Sequence, residues 1–177
     1  FMKKKKATKK DKEFVFKITL DLDSPMMWSG KINPKIRKSK KAVWREVAML
    51  SNQTLYGFAE SIIDILDFSF DHCFGFFSNL SERSMYDSKE IYELFTDLKD
   101  EGVEYTPNAK GVKKVKISQV FKQIGKKMLF YFDYGDSWSF LVELKEIKTS
   151  DLKKTYPYLL ASQGKNPEQY PLFEEEE

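Results

Sequence analysis

The side chains in this sequence best suited to proton chemistry are two aspartates three positions apart, Asp133 and Asp136 in FDYGDSW, and the single histidine, His72. His72 alone carries an ordinary pKa near neutrality, which makes it the natural proton carrier. Arg45, in AVWREV, offers a planar fork that could hold an anionic substrate or pair with a carboxylate. Brought together beside Trp138, these groups would form a polar pocket of Arg45, His72, Asp133 and Asp136, and with it an enzyme site.

Each of these residues also has an ordinary structural use. Gly135-Asp136 reads as the centre of a two-residue hairpin turn in which glycine supplies a positive φ. Tyr134 then faces Ser137, Asp133 lies across from Trp138, Tyr131 opposes Phe140 and Leu129 opposes Val142. In that register Asp133 falls on an apolar face and needs a partner, for which Arg45 is the candidate. His72 beside phenylalanines is more often a satisfied structural residue than a catalyst. Cys73, next to it on a strand, points to the opposite face, which argues against a Cys–His nucleophilic pair. One histidine and one cysteine cannot supply the three or four nitrogen or sulfur ligands of a structural zinc, and nothing calls for Mg²⁺ at Asp133 and Asp136. Phosphate-binding glycine loops and nucleophile elbows are absent from the sequence, so no cofactor is expected.

The elements that must position these residues can be read from periodicity. FVFKITLDL (14–22) alternates, with Phe14, Phe16, Ile18 and Leu20 on one face, as a half-buried strand does. AVWREVAML (42–50) reads as a second strand. Leu55, Phe58, Ala59, Ile62, Ile63 and Leu66 follow Thr54 at helical spacing and predict a capped amphipathic helix over 54–67. FDHCFGFFS (70–78) returns to strand, with His72 on the face of Phe74 and Phe76. A second helix is expected over 88–100, from the Asp87 and Glu90 capping pattern, the stripe Ile91, Leu94, Phe95 and Leu98, and the stop at Gly102. KKVKI (113–117) gives a short strand, SQVFKQIG (118–125) a short helix, and 128–147 the hairpin. Beyond Ile147 the proline, glycine and acidic residues point to an irregular segment. Together these predict an α+β fold, a mixed and mostly antiparallel sheet of about five or six strands packed against two main helices.

A chain of 177 residues with 15% aromatics has the apolar surface for one domain and not comfortably for two. Its net charge of +3 is unevenly placed. Residues 1–12 hold seven lysines against Asp11 and read as a disordered basic tail, and residues 174–177 are an acidic tail. The domain between them, 13–173, is left at +1. The loop before the second strand carries Lys31, Lys35, Arg37, Lys38, Lys40 and Lys41, a surface able to contact DNA or RNA phosphates. Lys110, Lys113, Lys114 and Lys116 could extend it, with Trp28 or Tyr105 stacking on bases. The near-neutral body argues against a strong electrostatic grip and leaves a protein partner equally compatible. A lone cysteine and the lack of a long apolar run point to the cytoplasm and away from a membrane.

The order of motifs resembles the plasmid pRiA4b ORF-3-like family. The matching residues are Trp44 and Arg45, Thr54 and Leu55, His72 and Phe74, then Tyr131, Asp133, Gly135, Asp136 and Trp138, within about residues 14–147. Members often carry a histidine two residues after the tryptophan, where this chain has Phe140, and the family's proline-rich acidic ending is partly echoed by Asn166-Pro167-Glu168-Gln169. The resemblance implies a setting on plasmids or mobile elements and no established reaction; the expected role is that of a non-catalytic binding or accessory protein, with an enzyme built on the polar pocket as the alternative.

Overall fold

The structure is a computed structural model that describes residues 4–21 and 42–170. The basic loop with Lys31, Lys35, Arg37, Lys38, Lys40 and Lys41, together with Trp28 and the acidic residues 174–177, lies outside the described residues. Along the chain run β1 (Lys5–Lys6), β2 (Lys12–Leu20), β3 (Trp44–Leu50), α1 (Leu55–Ile65), β4 (Phe74–Phe77), β5 (Ile91–Glu93), α2 (Leu94–Asp97), α3 (Ile117–Val120), β6 (Lys127–Phe132), β7 (Trp138–Thr149), β8 (Thr155–Tyr156) and β9 (Tyr158–Gln163). Seven strands form one sheet in the order β5-β4-β6-β7-β2-β3-β9, and β1 pairs with β8 in a second, two-stranded sheet. All neighbours are antiparallel.

The alternation of β2 sends Phe14, Phe16, Ile18 and Leu20 into the main core, where they meet Phe58 and Ile62 of α1, Phe74 and Phe76 of β4, and Phe130, Phe132 and Phe140 of the hairpin. Phe16 packs on Phe58 with centroids 4.5 Å apart and on the edge of Phe121 at 4.9 Å. Burying each such ring stabilises the fold by roughly 1.5–3 kcal/mol. The opposite face of the sheet carries a smaller cluster of Phe77, Met85, Ile91, Leu129 and Tyr131. As the sequence predicts, α1 is capped by Thr54, whose Oγ1 accepts the Gly57 N–H at 3.1 Å.

The sheet is larger and the helical content smaller than expected: the sheet has seven strands instead of five or six, and α1 is the one long helix among the described residues. The helix predicted over 88–100 is replaced by β5, the single turn α2 and a 3₁₀ turn ending at Gly102. Tyr92 and Glu93 pair with Phe76 and Gly75 of β4, and sheet pairing overrides a local helical spacing. The Asp87 and Glu90 capping pattern is not used: Asp87 ends a 3₁₀ turn, and the Glu90 N–H donates to Ser78 Oγ at 3.2 Å. KKVKI contributes only a bridge between Lys116 and Thr54. The C-terminal stretch expected to be irregular supplies β9, with Arg45 opposite Ser162. The described part of the basic arm is tied down too, since Lys5 pairs with Tyr156 and Lys6 with Thr155.

Candidate functional site

The hairpin register places Phe132 opposite Trp138, Tyr131 opposite Ser139 and Phe130 opposite Phe140. This is one residue away from the expected register, because the loop spans Asp133 to Ser137 and not two residues. Asp133 and Ser137 take the left-handed conformation, with φ of 57° and 59°, whereas Gly135 has no positive φ. Asp133 holds the loop with its own side chain, as Oδ1 accepts the N–H of Gly135 at 3.0 Å and of Asp136 at 3.1 Å. The carboxylate is therefore 4% exposed without needing an arginine.

Arg45 does not pair with Asp133. Between β3 and β6 lie β2 and β7, so the two strands are three inter-strand spacings apart, roughly 14 Å. The guanidinium instead donates to Trp44 O at 2.7 Å, Gln163 O at 2.8 Å and Gly164 O at 2.9 Å, and to Asn166 Oδ1. Asn166 passes the link on, donating to Asp67 Oδ2 at 2.8 Å and to Ile65 O at 3.3 Å at the end of α1. Burial pushes the Arg45 pKa below its ordinary value, partly offset by the nearby Asp67 charge. Both terminal nitrogens of this fork are taken up by the protein.

His72 and Asp133 do come together. The Asp133 N–H donates to Cys73 O at 3.0 Å, which draws the residues before β4 against the hairpin loop. His72 precedes that strand instead of lying in it, and its side chain is 44% exposed. Its Nδ1 lies 3.6 Å from Asp133 Oδ2 and 2.8 Å from Asp71 Oδ1. Tyr170 OH reaches Asp71 Oδ2 at 3.2 Å. Burial alone would raise the Asp71 pKa, but hydrogen bonds from His72, its own backbone and Tyr170 outweigh it and hold the carboxyl below its usual range. Asp136 is half-buried on the same loop. Trp138 lies beneath, edge-on to Phe68 at 4.8 Å and stacked with Phe140 at 6.4 Å.

Of the five residues singled out for a pocket, the structure thus joins His72 and Asp133, sets Asp136 on the same loop, buries Trp138 as packing and sends Arg45 elsewhere. Asp71 and Tyr170 are partners that sequence reasoning missed. The signal was the Asn166-Pro167-Glu168-Gln169 ending. Gln169 bonds the backbone of Ser69 twice, with the Ser69 N–H donating to Oε1 at 2.6 Å and Nε2 donating to Ser69 O at 3.1 Å, and this seats Tyr170 over Asp71.

Tyrosine–glutamate hydrogen bonds, buried or half-buried, brace the rest of the sheet. Tyr134 OH donates to Glu93 at 2.9 Å, Tyr131 OH to Glu82 at 2.9 Å, and Tyr156 and Tyr158 both donate to Glu13 Oε2, at 2.6 and 2.9 Å. Tyr134 can lie so close to β4 because Gly75 has no Cβ, which would stand 2.9 Å from the Tyr134 hydroxyl. Burial first, and the glutamate second, push the Tyr158 hydroxyl up to about 12, and burial likewise raises Tyr131, Tyr134 and Tyr156. A raised pKa means that the folded state keeps protons that the unfolded chain releases above pH ~10. This stabilisation is complete below pH ~10 and is lost as pH climbs through 12. The denaturant midpoint is therefore expected to fall steeply between pH 10 and pH 12, roughly the window between the free and folded tyrosine values. A midpoint constant across that range would refute the role assigned to these hydroxyls.

A separate surface is basic. From Tyr105 to Phe132 the sequence holds seven lysines and no acid. Lys110, Lys113, Lys114, Lys116 and Lys122 are exposed there, as is Tyr105, while Lys126 pairs with Glu90 and Lys127 lies 3.9 Å from Glu143. The segment is anchored by Leu55 N–H to Val115 O at 2.8 Å and by Ile117 N–H to Gln53 O at 2.8 Å.

Comparison with known proteins gives two findings. Residues 30–169 match the model of the family described as plasmid pRiA4b ORF-3-like protein. The fold is similar to that of the crystal structure of a protein of unknown function from Methanosarcina mazei Go1, with a TM-score of 0.61 and 17% sequence identity over 88% of this chain and 71% of that one. No curated protein matches the sequence. Among the described residues, no helix is long and apolar enough to cross a membrane, and no group of three or more histidine, cysteine or acidic side chains could hold a metal ion.

Proposed function

The chain belongs to the plasmid pRiA4b ORF-3-like family, and from that premise we propose that it is a non-catalytic accessory protein of a plasmid or transposon that binds nucleic acid through its phosphate backbone. The observation that carries this reading is the acid-free run from Tyr105 to Phe132, with five lysines exposed on one anchored segment. Asp97 lies against this segment and accepts the Val112 and Lys113 N–H groups, but none of the five lysines forms an ion pair among the described residues, which leaves them available to an external polyanion. Tyr105, 49% exposed, adds a ring on which a base can stack. An enzyme built on Arg45, His72, Asp133 and Asp136 is the weaker reading. It keeps the contact between His72 and Asp133, but Arg45, its anion holder, is committed to Gln163, Gly164 and Asn166.

Titration with single-stranded and duplex DNA at two salt concentrations tests the reading. Affinity for duplex is expected to fall by about 150- to 500-fold between 50 and 200 mM salt, the loss that four or five phosphate contacts produce. Replacing Lys113, Lys114 and Lys116 together by glutamine should reduce the slope of log K against log salt by about 2–3. Failure to bind either form at the lower salt would overturn the proposal.

A further inference from the structure

Beside β5 the structure holds a cavity of about 380 Å³, within the range of small-molecule sites. Its charged lining is Lys89, Lys110, Lys122 and Glu90. Glu90 is already neutralised by Lys126, whereas Lys89, Lys110 and Lys122 have no carboxylate partner among the described residues. Three ammonium groups around one concavity repel one another unless an anion joins them.

The rest of the lining is fixed in place. The Lys110 N–H donates to Ile91 O and the Glu93 N–H to Lys110 O, both at 2.9 Å, so the Lys110 backbone is laced along the outer edge of β5. The Lys110 ammonium stands 5.9 Å from the Tyr92 ring. Gln119 Oε1 accepts the Lys116 N–H at 2.7 Å, which sets the amide and leaves its Nε2 end as a donor. Tyr92 and Val115 form an apolar wall, and Asn108 adds a second amide.

We propose that this cavity binds a nucleotide through a terminal phosphomonoester, the phosphate held by Lys89, Lys110 and Lys122 and the base set against the Tyr92–Val115 wall within reach of the two amides. The dianionic phosphate answers the unpaired cations, and an apolar wall with hydrogen-bonding amides at its margin suits an aromatic heterocycle. The same phosphomonoester could belong to a free mononucleotide or to the end of a strand. In the second case the site rests on the nucleic-acid reading above and would seat the terminus of a strand that the neighbouring lysines grip.

The test uses the full chain and four probes: 5′-AMP, adenosine, and one single-stranded oligonucleotide with either a 5′-phosphate or a 5′-hydroxyl. The expected result is at least about tenfold tighter binding of AMP than of adenosine, the effect of one charge-assisted contact. A strand-end site adds the same preference for the phosphorylated oligonucleotide. The K89Q/K110Q/K122Q variant should erase these preferences with an unchanged melting temperature. If that variant is unstable, the single exposed substitution K122Q should still reduce them. AMP binding without any oligonucleotide binding would retain the cavity as a mononucleotide site while overturning the backbone-binding function. Equal affinities within both probe pairs would overturn the cavity proposal, even if both oligonucleotides bind.

Discussion

Replacing Arg45 by alanine is expected to destabilise the protein by about 3–5 kcal/mol, because it removes four hydrogen bonds of one buried guanidinium at once. The carbonyls of Trp44, Gln163 and Gly164 and the Asn166 side chain all lose their donor, and the space of a side chain that is 6% exposed is left unfilled. For a chain of this size the loss corresponds to a fall of roughly 10 °C in melting temperature. Lysine at the same position should recover only part of it, since an ammonium cannot reproduce the fork that reaches the carbonyls and Asn166 together. Thermal unfolding of the two variants decides the matter. A loss below about 1 kcal/mol for alanine would mean that the guanidinium is not the clamp described.

Asp133→Ala should cost about 2–3 kcal/mol, whereas Asp133→Asn should cost less than about 1. Alanine gives up the acceptor for the Gly135 and Asp136 N–H groups and adopts the left-handed conformation at a penalty. Asparagine keeps the acceptor and tolerates a positive φ. The pair separates two origins of stability, since a carboxylate needed for its charge, facing His72 at 3.6 Å, would make asparagine as damaging as alanine. Chemical denaturation of both variants at neutral pH gives the comparison.

Strands β2, β3, β4, β6 and β7 and the first helix were legible because their signals are local. The alternation of β2 and the Thr54 cap with its apolar stripe are fully contained in the segments that bear them. The stretch from Ile91 to Leu98 misleads because Ile91, Leu94, Phe95 and Leu98 fit a helical stripe, while the choice was made by β4, whose Gly75 and Phe76 pair with Glu93 and Tyr92. The hairpin register slipped by one because glycine was expected at the left-handed positions, which Asp133 and Ser137 occupy instead. Pairing Arg45 with Asp133 was reasonable chemistry, but it required a strand order that no local pattern contains. The contacts of Asn166 and Gln169 join residues about a hundred positions apart, with nothing in either segment to announce the other. The basic cavity likewise gathers Lys89, Lys110 and Lys122 from three separate stretches.

The strand order divides the sheet into two blocks. Strands β4 to β7 follow one another in sequence and can assemble from short-range pairings, of which Phe132 with Trp138 is the nearest. Strands β2, β3 and β9 form the other block, and the blocks meet along the seam where Leu20 pairs with Phe140 and Lys12 with Thr149. Closing that seam gathers more than a hundred residues into one loop, an entropic toll collected before the seam returns any contact energy. Neither block covers the rings it presents, since Phe16 on one side and Phe140 on the other belong to the same buried cluster. The same entropic cost applies where β3 pairs with β9, Trp44 lying opposite Gln163, so both long-range pairings are expected to form late in assembly and to bring their stability together.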